Sequence, residues 1–156
     1  MKPTSLTPSD FQRALGTRPV CRTAHFSLHV LWREVPAVAS QAAGELSTPP
    51  RVKPCGAVDD SGGRLGLVLP KKQARRAVTR SLIRHQARES VLRHAAQTCS
   101  RWQAGRAASR SIDAWVLRLT RGFDRTEFPS AASDALRVAV RAELDELWAR
   151  AARVQA

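Results

Sequence analysis

A chain of 156 residues can bury a core of its own, and at 43% apolar composition it reads as one folded domain, not a charged tail. Its 26 Lys+Arg against 13 Asp+Glu give a net charge of +13 and a pI near 11.5, which point to a polyanionic partner, most often a nucleic acid. The longest dense apolar run, LGLVL, is far too short to cross a membrane, and MKPTSLTPSDFQ lacks the apolar stretch of a secretion signal, so a soluble cytoplasmic protein is expected.

The stretch TPSDFQRALG predicts a short first helix. Thr7 can cap it, Pro8 suits the first helical position, Asp10 follows Thr7 by three residues, and Gly16 suits the exit. Phe11, Ala14 and Leu15 share a face that Arg13 leaves. CRTAHFSLHVLWREV then alternates. Phe26, Leu28, Val30 and Trp32 have one parity, while His25, Ser27, His29 and Leu31 have the other, which predicts a single strand with one better-buried face. Residues 36–63 hold four Pro and four Gly with little periodicity. They predict a flexible insertion between two strands of a single domain spanning 1–156. RLGLVLP is a short strand stopped by Pro70.

Beyond Pro70 the period changes. Ile83, Ala87 and Val91 recur every fourth residue, and so do Arg80, Arg84 and Arg88. At ~100° per residue the two stripes lie about 60° apart on one helix. Arg75, Arg76, Lys71 and Lys72 carry the charge back to the strand end. From Arg64 to Arg106, eleven Lys+Arg face one acid, Glu89, so this segment holds +10 of the protein's +13. A solvated helix face usually mixes signs, because like charges at i,i+4 repel; the Arg stripe therefore predicts contact with negative charge. Nearly all the cations are Arg, whose planar fork pairs with phosphate at two points and stacks on bases. Residues 98–113 read as a loop or frayed helix end, and AWVLRL at 114–119 as a strand. A last helix from about Ser130 to Ala152 carries the apolar stripe Leu136, Val140, Leu144, Leu147, Trp148 and Ala151. The order predicts an α+β sandwich with helices packed on one sheet.

Signs of protein catalysis are weak. The chain has no G-x-S-x-G elbow, H-E-x-x-H helix or phosphate loop. His25 and His29 have only Glu34 nearby in sequence, and Asp59-Asp60 sits in the insertion. The cysteines, Cys21, Cys55 and Cys99, are odd in number and far apart, so reduced thiols are expected and not a zinc site. A DNA reader would place Asn or Gln among the arginines, whereas Gln73 and Gln86 fall off the stripe. A structured-RNA-binding protein, for instance one associated with the ribosome, stays open on these residues.

The segment RLGLVLPKKQARRAVTRSLIRHQARES resembles the core of the bacterial ribonuclease P protein component. That family has a strand, a Lys-Lys pair, Ala-Val, and a helix of pattern R-N-x-x-K-R-x-x-R-E. Ala77-Val78, Arg80, Arg84, Arg88 and Glu89 stand in register with it. SDFQRALG, HFSLHVLW and DAWVLRL resemble the family's first helix, early strand and later strand. Ser81, Leu82 and the Arg84-His85 pair depart from the helix pattern.

The resemblance implies a two-layer α+β sandwich on a mixed four-stranded sheet, a ribosomal-protein-like fold with a left-handed βαβ crossover. It implies an endoribonuclease holoenzyme that removes the 5′ leader of precursor tRNA. In it the RNA subunit hydrolyses the phosphodiester with bound Mg2+, and no protein side chain is catalytic or ligates metal. The expected partners are ribonuclease P RNA and precursor tRNA, with no membrane and no obligate protein partner. Arg75, Arg76, Arg80, Ser81, Arg84, His85 and Arg88 are the expected contacts to the RNA subunit. Phe11, Arg13, Phe26, His29, Lys71 and Lys72 are the expected contacts to the leader, a single strand that aromatic and cationic groups can stack on and pair with.

Overall fold

The first helix, α1 (Pro8–Gly16), begins where the sequence places it. Thr7 Oγ1 accepts from the Asp10 amide at 3.3 Å, and the Asp10 carboxylate accepts from the Thr7 amide at 3.0 Å, closing a capping box. The computed structural model describes residues 6–34, 64–104 and 110–154; the 36–63 insertion and Cys55 lie outside them.

The predicted single strand is a hairpin, β1 (Cys21–Arg22) and β2 (Phe26–Glu34). The Thr23 amide donates to the Phe26 carbonyl at 2.9 Å, and the Thr23 hydroxyl accepts from the Phe26 amide at 3.3 Å. These bonds reverse the chain and set Cys21 opposite Leu28. Then come β3 (Arg64–Val68), α2 (Ala77–Ala104), β4 (Arg110–Leu119) and α3 (Asp134–Arg153). The expected loop at 98–113 is mostly regular structure: α2 runs on to Ala104 and β4 begins at Arg110. Thr98 and Ser100 hydroxyls donate back to the His94 and Ala96 carbonyls, both at 3.0 Å, so these polar residues ride on the helix without breaking it. Ser133 caps α3, its hydroxyl accepting from the Leu136 amide at 3.1 Å.

The four strands form one mixed sheet in the order β1-β2-β4-β3. β2 and β4 are antiparallel, while β3 joins β4 in parallel with α2 as the connection between them. Phe26, Leu28 and Val30 of β2 and Trp115, Leu117 and Leu119 of β4 share a core with Ile83, Ala87, Val91 and Ala95 of α2 and the full predicted stripe of α3. Two indoles in this core have hydrogen-bond acceptors: Trp148 donates to Ser90 Oγ at 3.1 Å and Trp102 to the Ala151 carbonyl at 3.0 Å. Cys21 donates to the Leu147 carbonyl at 3.4 Å, and burial pushes its thiol pKa up to about 12.

The layers are thus α2 and α3 on one face of the sheet. The other face is not bare, contrary to the expectation of one better-buried side for β2: Ser27, His29 and Leu31 are all buried. α1 lies there. Gly66 of β3 is what lets it approach, since a Cβ at this position would stand 2.4 Å from Leu6 Cδ1 and 2.7 Å from Phe11 Cε1. No helix among the described residues is long and apolar enough to cross a membrane.

Candidate nucleic-acid interface

The interface is built on α2. Burying Ile83, Ala87, Val91 and Ala95 turns the next flank of the helix outward, and Arg84, Arg88, Ser81 and His85 are exposed on it. Leu82, where the resembled family has a cation, is half-buried and packs against the core. That position is therefore apolar support for the helix.

The acids of the protein are engaged elsewhere. Asp113 pairs with Arg64 and, at 3.1 Å, with Arg33. Asp145 accepts from Arg93 and His94, both at 2.8 Å. Glu143 takes the His25 ring at 2.7 Å, and Glu146 pairs with Arg150. Among the described residues no ion pair involves Lys71, Lys72, Arg75, Arg76, Arg84 or Arg88. The cationic surface is left without a protein counter-charge.

Arg80 belongs to the stripe by spacing but not by contact. Its Nη1 donates to the Ala74 and Arg75 carbonyls, both at 2.8 Å, and so clamps the turn that carries β3 into α2. Arg76 is likewise engaged, donating to the Pro129 carbonyl at 3.2 Å. The Thr79 hydroxyl reaches the Ala131 carbonyl at 2.7 Å, and the Gly122 amide donates to Gln73 Oε1 at 3.0 Å. These three bonds stitch the β4–α3 loop to the start of α2. The approach at Gly122 is so close that a Cβ there would lie 2.3 Å from the Gln73 carbonyl oxygen. Lys72, Arg75 and Arg76 line the cleft between the two segments together with Arg121 and Arg125 of the loop. Lys72 thus joins the α2 group and not the residues around α1; Lys71 is exposed beside it.

On the opposite face of the sheet, Phe11 is half-buried with its ring over Gly66, and Arg13 is exposed. Two expected leader contacts have other surroundings. Phe26 is fully buried on the α2–α3 side, 6.0 Å from the Phe123 ring, and offers no face to a base. His29 does lie on the α1 side, but only 4% of it is exposed. Its Nε2 sits 3.4 Å from Ser27 Oγ and its Nδ1 has no hydrogen-bond partner. Burial holds its pKa below the usual histidine value, against a weaker upward pull from the Thr17 and Ala14 backbone, so the ring is neutral and closed off from solvent.

Sequence reasoning missed the cations that this face offers instead. Arg33 and Arg64 line a cleft with Arg13 beside α1, both held by Asp113. Arg118 is exposed on β4 opposite Ser27 and near His29. Their signal was parity: Arg64 and Arg118 lie on strands, at positions whose neighbours face the core. Arg121 and Arg125 gave no signal, because the loop that carries them has no periodicity.

A family model described as Ribonuclease P matches residues 6–151. The chain is 33% identical over 148 residues to the Ribonuclease P protein component of Burkholderia mallei (strain SAVP1), covering 95% of this chain and 81% of that protein. The same figures hold for the component of Burkholderia pseudomallei (strain 668). Against that of Paraburkholderia xenovorans (strain LB400) the identity is 31% over 150 residues, covering 95% of this chain and 79% of that protein. No solved structure matches.

Proposed function

The chain belongs to the ribonuclease P protein family, with the subunit role in tRNA 5′ processing, and from that premise we propose a division of its surface between two RNAs. The flank of α2 and the cleft at its start hold the RNA subunit, through Arg75, Arg84, Arg88, Ser81, His85 and Lys72. The α1 face receives the 5′ leader of precursor tRNA, through Phe11, Arg13 and the anchored pair Arg33 and Arg64. The observation that carries this reading is the run of exposed arginines on α2 with no acidic partner. Such a surface neutralises phosphates and releases their counterions, a gain that protein acids would forfeit.

The protein contributes to an endoribonuclease holoenzyme, and phosphodiester hydrolysis is assigned to the RNA subunit. Among the described residues no group of three or more His, Cys, Asp and Glu side chains could hold a metal ion. Magnesium is therefore assigned to RNA phosphates, where it would polarise the scissile phosphate and activate water. The protein's own part is to lower the electrostatic cost of bringing two polyanions together and to hold the leader in line.

Reconstitution tests the proposal. The protein is mixed with a bacterial ribonuclease P RNA and precursor tRNA at low magnesium, and leader removal is followed. Cleavage that needs both components is the expected result. Tight RNA binding with no effect on cleavage would refute it and leave a structured-RNA-binding protein of this fold.

A further inference from the structure

The cleft between residues 72–79 and 121–131 encloses a cavity of about 330 Å3, at the small end of ligand sites, which run ~300–1,000 Å3. Its lining combines two chemistries. Arg75, Arg76, Arg121 and Arg125 supply positive charge, and no acid lines it. Phe123 and Phe128 supply an aromatic wall, edge to face with centroids 5.9 Å apart. The His25 ring stacks on Phe123 at 4.1 Å and is itself held by Glu143, so the wall is braced from behind. The bonds from Gly122, Arg76 and Thr79 fix the distance between the two sides before any ligand arrives.

A free inorganic anion has no use for the aromatic wall, and an apolar ligand has no use for the arginines. A nucleotide uses both. We infer that this cavity seats one unpaired nucleotide of the RNA subunit, with its phosphate among Arg75, Arg121 and Arg125 and its base against Phe128 and Phe123. The inference deepens the proposed function and rests on it. The RNA subunit is the source because the cavity opens beside the start of α2, on the sheet face opposite α1 and its leader cleft. The volume admits one base and excludes a duplex, so the nucleotide is one turned out of its helix.

Two variants and a control test this with full-length protein and ribonuclease P RNA. The double variant Arg121→Gln/Arg125→Gln removes charge from exposed positions. Phe128→Leu keeps the apolar bulk and removes the stacking surface. Arg84→Ala/Arg88→Ala reports on the α2 surface, and thermal melts establish that each variant is folded. The double variant is expected to weaken RNA binding on the order of tenfold and to lower the slope of log K against log salt by ~0.9 for each phosphate released. Phe128→Leu is expected to weaken binding on the order of fivefold with the slope unchanged, since stacking releases no counterions. Wild-type binding by both cavity variants, with a loss in the α2 control, would overturn the cavity and leave the interface standing. Wild-type binding by the control as well would overturn the interface itself. A loss confined to precursor tRNA would refute the assignment to the RNA subunit.

Discussion

Arg80 and Arg84 carry the same charge one helical turn apart and face different demands. Arg80 closes the turn into α2 on two backbone carbonyls, while Arg84 is exposed and unpaired by any acid among the described residues. Arg80→Ala should therefore lower stability by about 1–2 kcal/mol in urea titration and leave the salt slope of RNA binding nearly unchanged. Arg84→Ala should leave the urea midpoint in place and lower the slope by ~0.9. The spacing of the stripe was legible; the direction of Arg80 was not, because its acceptors are backbone atoms that leave no trace in a residue pattern. Phe26 makes the same point. Alternation assigned it to a face, and the structure identifies that face as the core, so Phe26→Ala should cost ~3–5 kcal/mol by thermal or urea unfolding. His29 supplies a pH dependence. Its folded pKa is depressed, so below the ordinary histidine value near ~6.5 the unfolded chain binds the proton more readily and stability falls as pH drops. The urea midpoint should fall from pH 7.5 to 5.5, and His29→Leu should flatten part of that fall.

At the scale of elements, the most readable were those whose burial follows a single period. The Thr7–Asp10 box and the six-residue stripe of α3 stand where the sequence puts them. The end of α2 was hidden by composition, since Thr98, Cys99 and Ser100 look like a loop until Thr98 and Ser100 bond back to their own helix and Trp102 turns inward. The hairpin at Thr23 was hidden because a β-branched residue can sit in a strand or reverse one. α1 is held over the sheet by the absence of one side chain. Gly66→Ala would drive a methyl into Leu6 and Phe11 and lift the helix. Leader affinity should fall severalfold in a fluorescence titration while affinity for the RNA subunit holds, since α2 packs on the other face. Equal losses for both RNAs would mean that the two faces are not separate surfaces.

Across the whole molecule, charge is sorted by element: α3 and the hairpin take up most of the acids, and α2 with its flanking segments keeps its cations unmatched. Steep salt dependence follows from that sorting, independent of RNA sequence. The sheet order has a further consequence, in time. β4 lies between β2 and β3, which do not pair with each other, so neither early strand can join a sheet until residues 110–119 exist. At ~5–20 residues per second the ribosome would emit the basic helix a few seconds before the strand that docks it. During that interval the most cationic part of the chain is a tethered, unpacked peptide beside ribosomal RNA. A chain ended at residue 109 should show no sheet signal in circular dichroism and should bind RNA without discrimination. Selectivity would then begin with the arrival of a strand that carries almost none of the charge.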